Sequence, residues 1–329
     1  MPRHRTAHCA RLAVRTAVLV CAIVAPVQHS AASCGAAFCM VNTSWSVQGA
    51  ATDPGLRLDL RYEYIDQFQP RHGSGEVGAG QIRQHHDEVR TINRNWLATA
   101  EYTFNERWGV SATVPLMDRS HGHIHNHQGA ALPESWNFSE VGDVRLLGRR
   151  QWQGESLEQQ RLDFYGVNFG LKLPTGRDDI RNGHGQLAER TLQPGTGTTD
   201  LLLGGYFKRL LGSGSSWFAD ALVQRPFAEH DGYRPGSRVS IDLGYRREAG
   251  DKLAFMLQLN TLYKSRDRGP NAEEDHSGGK FIFVSPGVSY LLTENVQVYS
   301  FVQIPLYQYV NGVQLTADWA VVAGISTRF

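Results

Sequence analysis

The chain has 329 residues, a formal net charge of +1, 41% hydrophobic residues and 20% charged ones. Near-neutral charge argues against a nucleic-acid partner, which would call for a basic surface. With a mean hydropathy of -0.36 and no stretch after the first thirty residues approaching the ~20 apolar residues of a membrane helix, helical membrane spans are excluded too.

The first fifteen residues carry Arg3, Arg5, Arg11 and Arg15 and no acid. An apolar run over 16–26 follows, and then Ser30-Ala31-Ala32 supplies small residues for a signal peptidase. This is a three-part secretory leader, and its apolar core is too short to span a bilayer. A signal peptide over 1–32, cut near Ala32, is the first reading. A lipoprotein acylated at Cys34 is the second, although Ala31-Ala32-Ser33 lacks the usual Leu. Cys9 and Cys21 leave with the leader, so the mature chain keeps Cys34 and Cys39. An exported pair closing a small ring reads first as a disulfide. A thiolate metal pair is the alternative, against which the four-residue spacing counts. Residues 33–54 are expected to form a periplasmic segment ahead of the remaining chain.

From residue 55 the sequence alternates. Leu56, Leu58, Leu60, Tyr62 and Tyr64 share one face of an extended segment, with Arg57, Asp59, Arg61 and Glu63 on the other. The same period recurs over 90–104, 107–118, 142–152, 161–174, 199–211, 216–227, 237–248, 252–264, 280–292, 295–306 and 318–329, which makes twelve strands. No amphipathic helix of any length appears. Gaps after even-numbered strands are short, as at Asn105-Glu106 and Thr293-Glu294, whereas 69–89, 119–141, 175–198 and 265–279 are long and polar. A soluble sandwich has no reason to sort its loops by parity. A transmembrane antiparallel β-barrel does, with short periplasmic turns and long extracellular loops. The expectation is therefore an all-β outer-membrane barrel over 55–329, embedded in the outer-membrane lipid bilayer of a Gram-negative cell.

Aromatic residues give a second line. Phe104, Trp108, Trp152, Trp217, Tyr245 and Phe329 fall at the inner rim of this topology, and Tyr64, Tyr263 and Trp319 at the outer rim. Amphipathic rings collect at the two interfaces of a membrane barrel. The last strand alternates Trp319, Val321, Ala323, Ile325, Thr327 and stops on Phe329. A terminal aromatic there is expected to be the signal read by the outer-membrane assembly machinery.

Leu173-Pro174-Thr175-Gly176, followed by Pro194-Gly195-Thr196-Gly197-Thr198-Thr199-Asp200, resembles barrels of the putative phenol-degradation (MetA-pathway) outer-membrane family. The resemblance implies passage of a small molecule and carries over no site residue. Turn chemistry alone is the other explanation of both stretches.

Three sets of residues are candidates for chemistry. His121, His123, His125 and His127 alternate, so in an extended segment all four imidazoles share a face, with His85, His86 and His184 as possible neighbours. Imidazole clusters suit zinc, copper or nickel; a solvated polar loop is the alternative. The expected lumen face carries Arg57, Asp59, Arg61, Glu63, Arg145, Arg149, Asp163, Lys172, Asp220, Arg238, Asp242 and Arg246, a mild surplus of cations that favours small anionic solutes; paired charges filling the lumen are the first alternative. About twelve strands lie between barrels filled by side chains and open porins, so a narrow polar channel or transporter is expected. A hydrolase using Asp178, Asp179 and His184 is a further reading, for which no nucleophile pattern stands nearby. No catalytic residue or organic cofactor is expected.

Overall fold

The computed structural model describes residues 40–48, 54–83, 85–127, 130–154, 162–212 and 214–329. The leader, Cys34 and Cys39 lie outside them. Thirteen strands occur among the described residues: β1 (Gly55–Gly73), β2 (Gly75–Glu76), β3 (His86–Thr103), β4 (Trp108–His127), β5 (Ala130–Val141), β6 (Arg145–Gly154), β7 (Leu162–Lys172), β8 (Asp200–Leu211), β9 (Ser215–Pro226), β10 (Arg238–Ala249), β11 (Leu253–Lys264), β12 (Gly279–Leu291) and β13 (Val296–Arg328). One helical turn, α1 (Trp45–Gln48), precedes them.

All pairings between neighbouring strands are antiparallel, running in order from β13 back to β1 with β2 and β5 off the main path. The sheet closes because β1 also pairs with β13, from Arg57↔Arg328 to His72↔Val313. Eleven strands thus form the wall, and the last of them is used twice. At ~3.3 Å per residue, the 33 residues of β13 far exceed a bilayer core of ~30 Å. The strand turns at Asn311-Gly312, where Gly312 has φ +59°. Its first half pairs with β12 and its second with β1. Ser300 Oγ donates to the Val322 carbonyl at 2.9 Å, and Gln308 Nε2 to that of Ala317 at 3.2 Å, tying the halves together. The twelve passes expected from the sequence are all present.

Burial is inverted relative to a soluble domain. Leu60, Trp96, Val114, Leu203, Leu243, Phe255 and Ile304 are exposed, whereas Asn93, Gln258, Asn260, Ser285 and Gln314 are buried. A bilayer requires that arrangement: closing the sheet leaves no strand edge unpaired, and apolar side chains face lipid. The chain is a membrane-spanning barrel of the outer-membrane class.

Two expectations are corrected. The stretch 119–141 is no open loop: β4 continues to His127 and returns as β5, paired from Leu116↔Val141 to His127↔Ala130. Above the membrane there is no lipid to demand alternating hydrophobicity, so the strand pattern fades while the pairing goes on. Residues 40–48, expected in the periplasm, lie inside the barrel. Met40 N donates to Gln303 Oε1 at 2.8 Å and Asn42 N to Gln258 Oε1 at 2.9 Å. Lys208 Nζ donates to the Ser46 carbonyl at 2.8 Å and Ser216 Oγ to that of Gln48 at 2.9 Å. Trp45 is buried edge-on against Tyr299, ring centroids 5.0 Å apart. This strap satisfies polar groups of the inner wall that would otherwise meet water.

Candidate functional site

The barrel interior holds a cavity of about 450 Å³, bounded by Thr43–Val47 of the strap on one side and by Arg190–Thr196 of the β7–β8 loop toward the outer end. Of the residues expected in the lumen, Arg57, Asp59, Arg61, Glu63, Arg145, Arg149, Lys172, Asp220 and Arg238 line it. Asp242 lies beside the strap, where Asn42 Nδ2 donates to it at 3.4 Å and to Asp220 at 3.3 Å. Arg246 donates to Glu248 at 2.6 Å near the inner end of β10. Asp163 is a correction. It has the parity of the exposed Tyr165, Val167 and Phe169, so it belongs to the outer face. Arg209 holds it at 2.6 Å through both guanidinium nitrogens and lies 5.6 Å from the Phe207 ring.

Nine basic and five acidic side chains line the cavity. Most of the cations are paired: Arg61 meets Glu63 at 2.6 Å, Lys172 meets Asp143 at 2.6 Å, Lys264 meets Asp267 at 2.8 Å and Arg190 meets Asp178 at 3.1 Å, while Arg149 lies 3.8 Å from Glu101. Arg57 and Arg145 instead reach neutral oxygens, Ser326 Oγ at 3.4 Å and Gln224 Oε1 at 3.2 Å. The positive charge these pairs leave over sits on Arg57 and Arg145, on β1 and β6.

The two Gly-rich stretches meet at the outer edge of this cavity. A side chain added at Gly176 would sit 2.7 Å from Gly195 Cα, and one at Gly195 would sit 2.2 Å from the Gly176 oxygen; only glycines let the two backbones touch. Lys172 fastens the node, with Nζ at 2.6 Å from Asp143 Oδ2, 2.5 Å from Thr196 Oγ1, 2.8 Å from the Thr198 carbonyl and 3.5 Å from Asp200. Asp143 in turn accepts from Gly176 N and Thr196 N, each at 3.1 Å. The stretches thus form one joint, with Lys172, Gly195 and Thr198 buried in it, that folds the β7–β8 loop into the barrel mouth.

Above it lies the histidine cluster. On β4 the inward parity continues beyond the membrane, so His121, His123 and His125 point into the mouth, as the alternation predicts; His127 is exposed at the tip. Across from them a β-bulge between Glu88 and Arg90 shifts the register, so that Glu88 faces His123 and His86 faces His125. His121 Nε2 is 3.2 Å from His123 Nδ1 and 3.5 Å from Glu88 Oε2. His86 Nδ1 is 3.1 Å from Glu189 Oε1, whose distance to His123 Nδ1 is 3.8 Å. Three donor sets with ligand atoms inside 4.8 Å result: Glu88, His121 and His123, fully buried; His86, His123 and Glu189; and His85, His86 and His125 nearer solvent. His127 belongs to none of these sets, and His184 is exposed elsewhere on the loop.

Sequence reasoning missed Glu88, Glu134 and Glu189. The bulge hides the first, and the others arrive from strands and loops far along the chain. On the 265–279 loop, burial and then the charges of Glu189, Glu88 and Asp267 push the Glu273 carboxyl well above its ordinary range, a mark of how much negative charge converges here. The hydrolase set does not assemble: Asp178 meets His230 and Arg190, each at 3.1 Å, and Asp179 meets Arg177 at 3.0 Å.

No protein-family model matches the chain, and no curated protein does. Among solved structures, it is similar to the COG4313 outer membrane channel from Pseudomonas putida F1, with a TM-score of 0.65 and 13% identity over 88% of this chain and 100% of that one. The NanC porin aligns at a TM-score of 0.44 and 11% identity over 83% of this chain and 100% of that one. A Pseudomonas aeruginosa FadL homologue aligns at 0.38 and 11% over 90% and 99%. The first of these likenesses establishes the fold, an outer-membrane barrel, in keeping with the resemblance drawn from residues 173–176 and 194–200.

Proposed function

We propose that the chain is an outer-membrane channel for small solutes, with a preference for anions. The observation that carries this reading is the cation surplus of the lumen, in which Arg57 and Arg145 bond to neutral oxygens and keep their field for a passing solute. A polar interior inside an apolar wall is the arrangement of a water-filled barrel. The Pseudomonas putida neighbour, described as an outer membrane channel, has the same fold, which supports the reading. In planar bilayers under a salt gradient, the protein should give discrete conductance steps with a reversal potential on the anion-selective side. Replacing Arg57 and Arg145 together by Gln should move that potential toward zero; an unchanged potential, or silence at all voltages, would sink the proposal.

The same reading needs delivery to the membrane, and Phe329 is its signal. The residue closes the seam: its N donates to the Leu56 carbonyl at 2.8 Å and Leu56 N to its oxygen at 3.3 Å. The residue is 70% exposed, so it adds little to the packing of the finished barrel. Deleting Phe329 should lower the folded fraction in cells, seen as heat-modifiable migration on gels. Phe329→Trp should recover more of it than Phe329→Asp, and equal yields would remove the signal role.

A further inference from the structure

We infer that the outer vestibule is a zinc-class metal site, with Glu88, His121 and His123 as ligands and the Glu189 carboxylate beside His123. Zinc binds nitrogen at ~2.0–2.1 Å in tetrahedral geometry, which places neighbouring ligand atoms about 3.3–3.4 Å apart. The observed separations of 3.2 Å between His121 Nε2 and His123 Nδ1 and 3.5 Å between His121 Nε2 and Glu88 Oε2 bracket that value, and Glu189 Oε1 stands 3.8 Å from His123 Nδ1. Glu88, His121 and His123 are each no more than 3% exposed, so the set is held by the fold and not sampled by a mobile surface.

The outward ring nitrogens are arranged as a metal site requires. His123 Nε2 meets Glu134 Oε2 at 3.1 Å, and Glu134 is itself held by Gln186. That carboxylate accepts a hydrogen bond from Nε2–H, which keeps the proton on Nε2 and leaves the Nδ1 lone pair toward His121. His121 Nδ1 lies 2.9 Å from Thr91 Oγ1, so with the proton on Nδ1 donated to the hydroxyl, Nε2 presents a lone pair. Carboxylate–histidine–metal chains of this kind fix tautomers in known metal sites. Two carboxylates also cancel the charge of a divalent ion, which a buried site needs. Arg119, the nearest inward cation, is engaged by Asn93 Oδ1 and the Leu192 carbonyl, each at 2.6 Å. Nearer solvent, His85, His86 and His125 form a second, half-buried donor set that lies on the way in from the exposed His127.

The test uses protein extracted in detergent from outer membranes, stripped with a chelator and titrated with zinc. One tight site per chain is expected, and cobalt in its place should give the intense visible absorption of a four-coordinate ion. Glu88→Gln and the double change His121→Asn with His123→Asn should abolish that site. Glu134→Gln should weaken it by about 10–100-fold, the usual loss for a second-layer carboxylate, while His127→Asn leaves it unchanged. Binding that survives the double change, or that vanishes in His127→Asn, would assign the ion to the surface histidines and overturn the inference, as would an untitratable wild type. Folding of each variant is checked by heat-modifiable migration. X-ray absorption of the zinc-loaded wild type, which needs no variant, should count two imidazoles with carboxylate oxygens; a shell of water oxygens alone would also overturn it. None of these readings depends on conductance, so a silent barrel that holds zinc would refute the channel reading and leave this one standing.

Discussion

Replacing Lys172 by Met is expected to destabilise the folded barrel by about 3–5 kcal/mol, the cost of breaking a buried ion pair and stranding its partner. Lys172 is 4% exposed, Asp143 8% and Asp200 1%, so the two carboxylates would lose their shared cation without gaining water. The ammonium also donates to Thr196 and to the Thr198 carbonyl, which couples the end of β7 to the start of β8. Its removal should therefore loosen the β7–β8 loop before the barrel itself opens. Urea titration of folded protein in lipid would read the midpoint, and limited proteolysis near 176–195 would read the loop. The change Lys172→Arg keeps the charge but needs room for a planar fork in a site shaped for a compact head, so an intermediate loss is expected. A Met variant as stable and as protease-resistant as wild type would show that the joint is held by the Gly176–Gly195 contact alone.

How much of this was legible in the sequence follows from where lipid acts. Within the bilayer, each strand must show an apolar residue every second position, so Leu56 to Tyr64 and Trp108 to Leu116 announce themselves. Beyond it that demand ends, and 119–141, a hairpin, looks like a polar loop. Alternation still placed His121, His123 and His125 on one face, because the strand simply continues. It failed for Glu88, since one bulged residue flips the parity of everything past Arg90, and nothing local in the sequence marks the bulge. Asp163, expected in the lumen, shares the parity of Tyr165 and Val167 and faces outward: at the rim, an Arg209 partner beside an aromatic ring lets a carboxylate do so. Lys172 was found on the lumen face, but its partners Asp143 and Thr196 lie on other elements. The strap gave no signal at all, because its partners Asp220, Asp242, Gln258 and Gln303 are more than a hundred residues away.

Removing residues 40–48 is expected to raise single-channel conductance severalfold. The strap bonds to β8, β11 and β13 and reaches β1, where Arg61 donates to the Val41 carbonyl at 3.3 Å and to Thr43 Oγ1 at 2.8 Å, and its Thr43–Val47 stretch bounds the cavity; without it the cavity widens into the space the strap fills. A twelve-pass barrel has room for such a widening, because only barrels near eight strands are filled by their own wall side chains. The wall should survive the loss. Its backbone pairs are complete without the strap, and Gln258, Gln303, Lys208 and Ser216, which the strap now satisfies, are polar groups that water can serve instead. Asp220 and Asp242 are opposed across β9 and β10, and Asn42 donates to both; losing that bridge exposes two facing carboxylates and should reduce the anion preference as the conductance rises. The single change Asn42→Ala tests that half alone, with selectivity falling at nearly constant conductance. Trp45→Ala tests the other half: it removes the largest buried side chain of the strap, loosens the turn against Tyr299, and should produce flickering between a wild-type and a larger level. If the deletion folds, inserts and conducts as wild type does, the strap is no constriction, and the limiting cross-section must lie at the outer mouth, where Arg119 holds Leu192 and the β7–β8 loop across the opening.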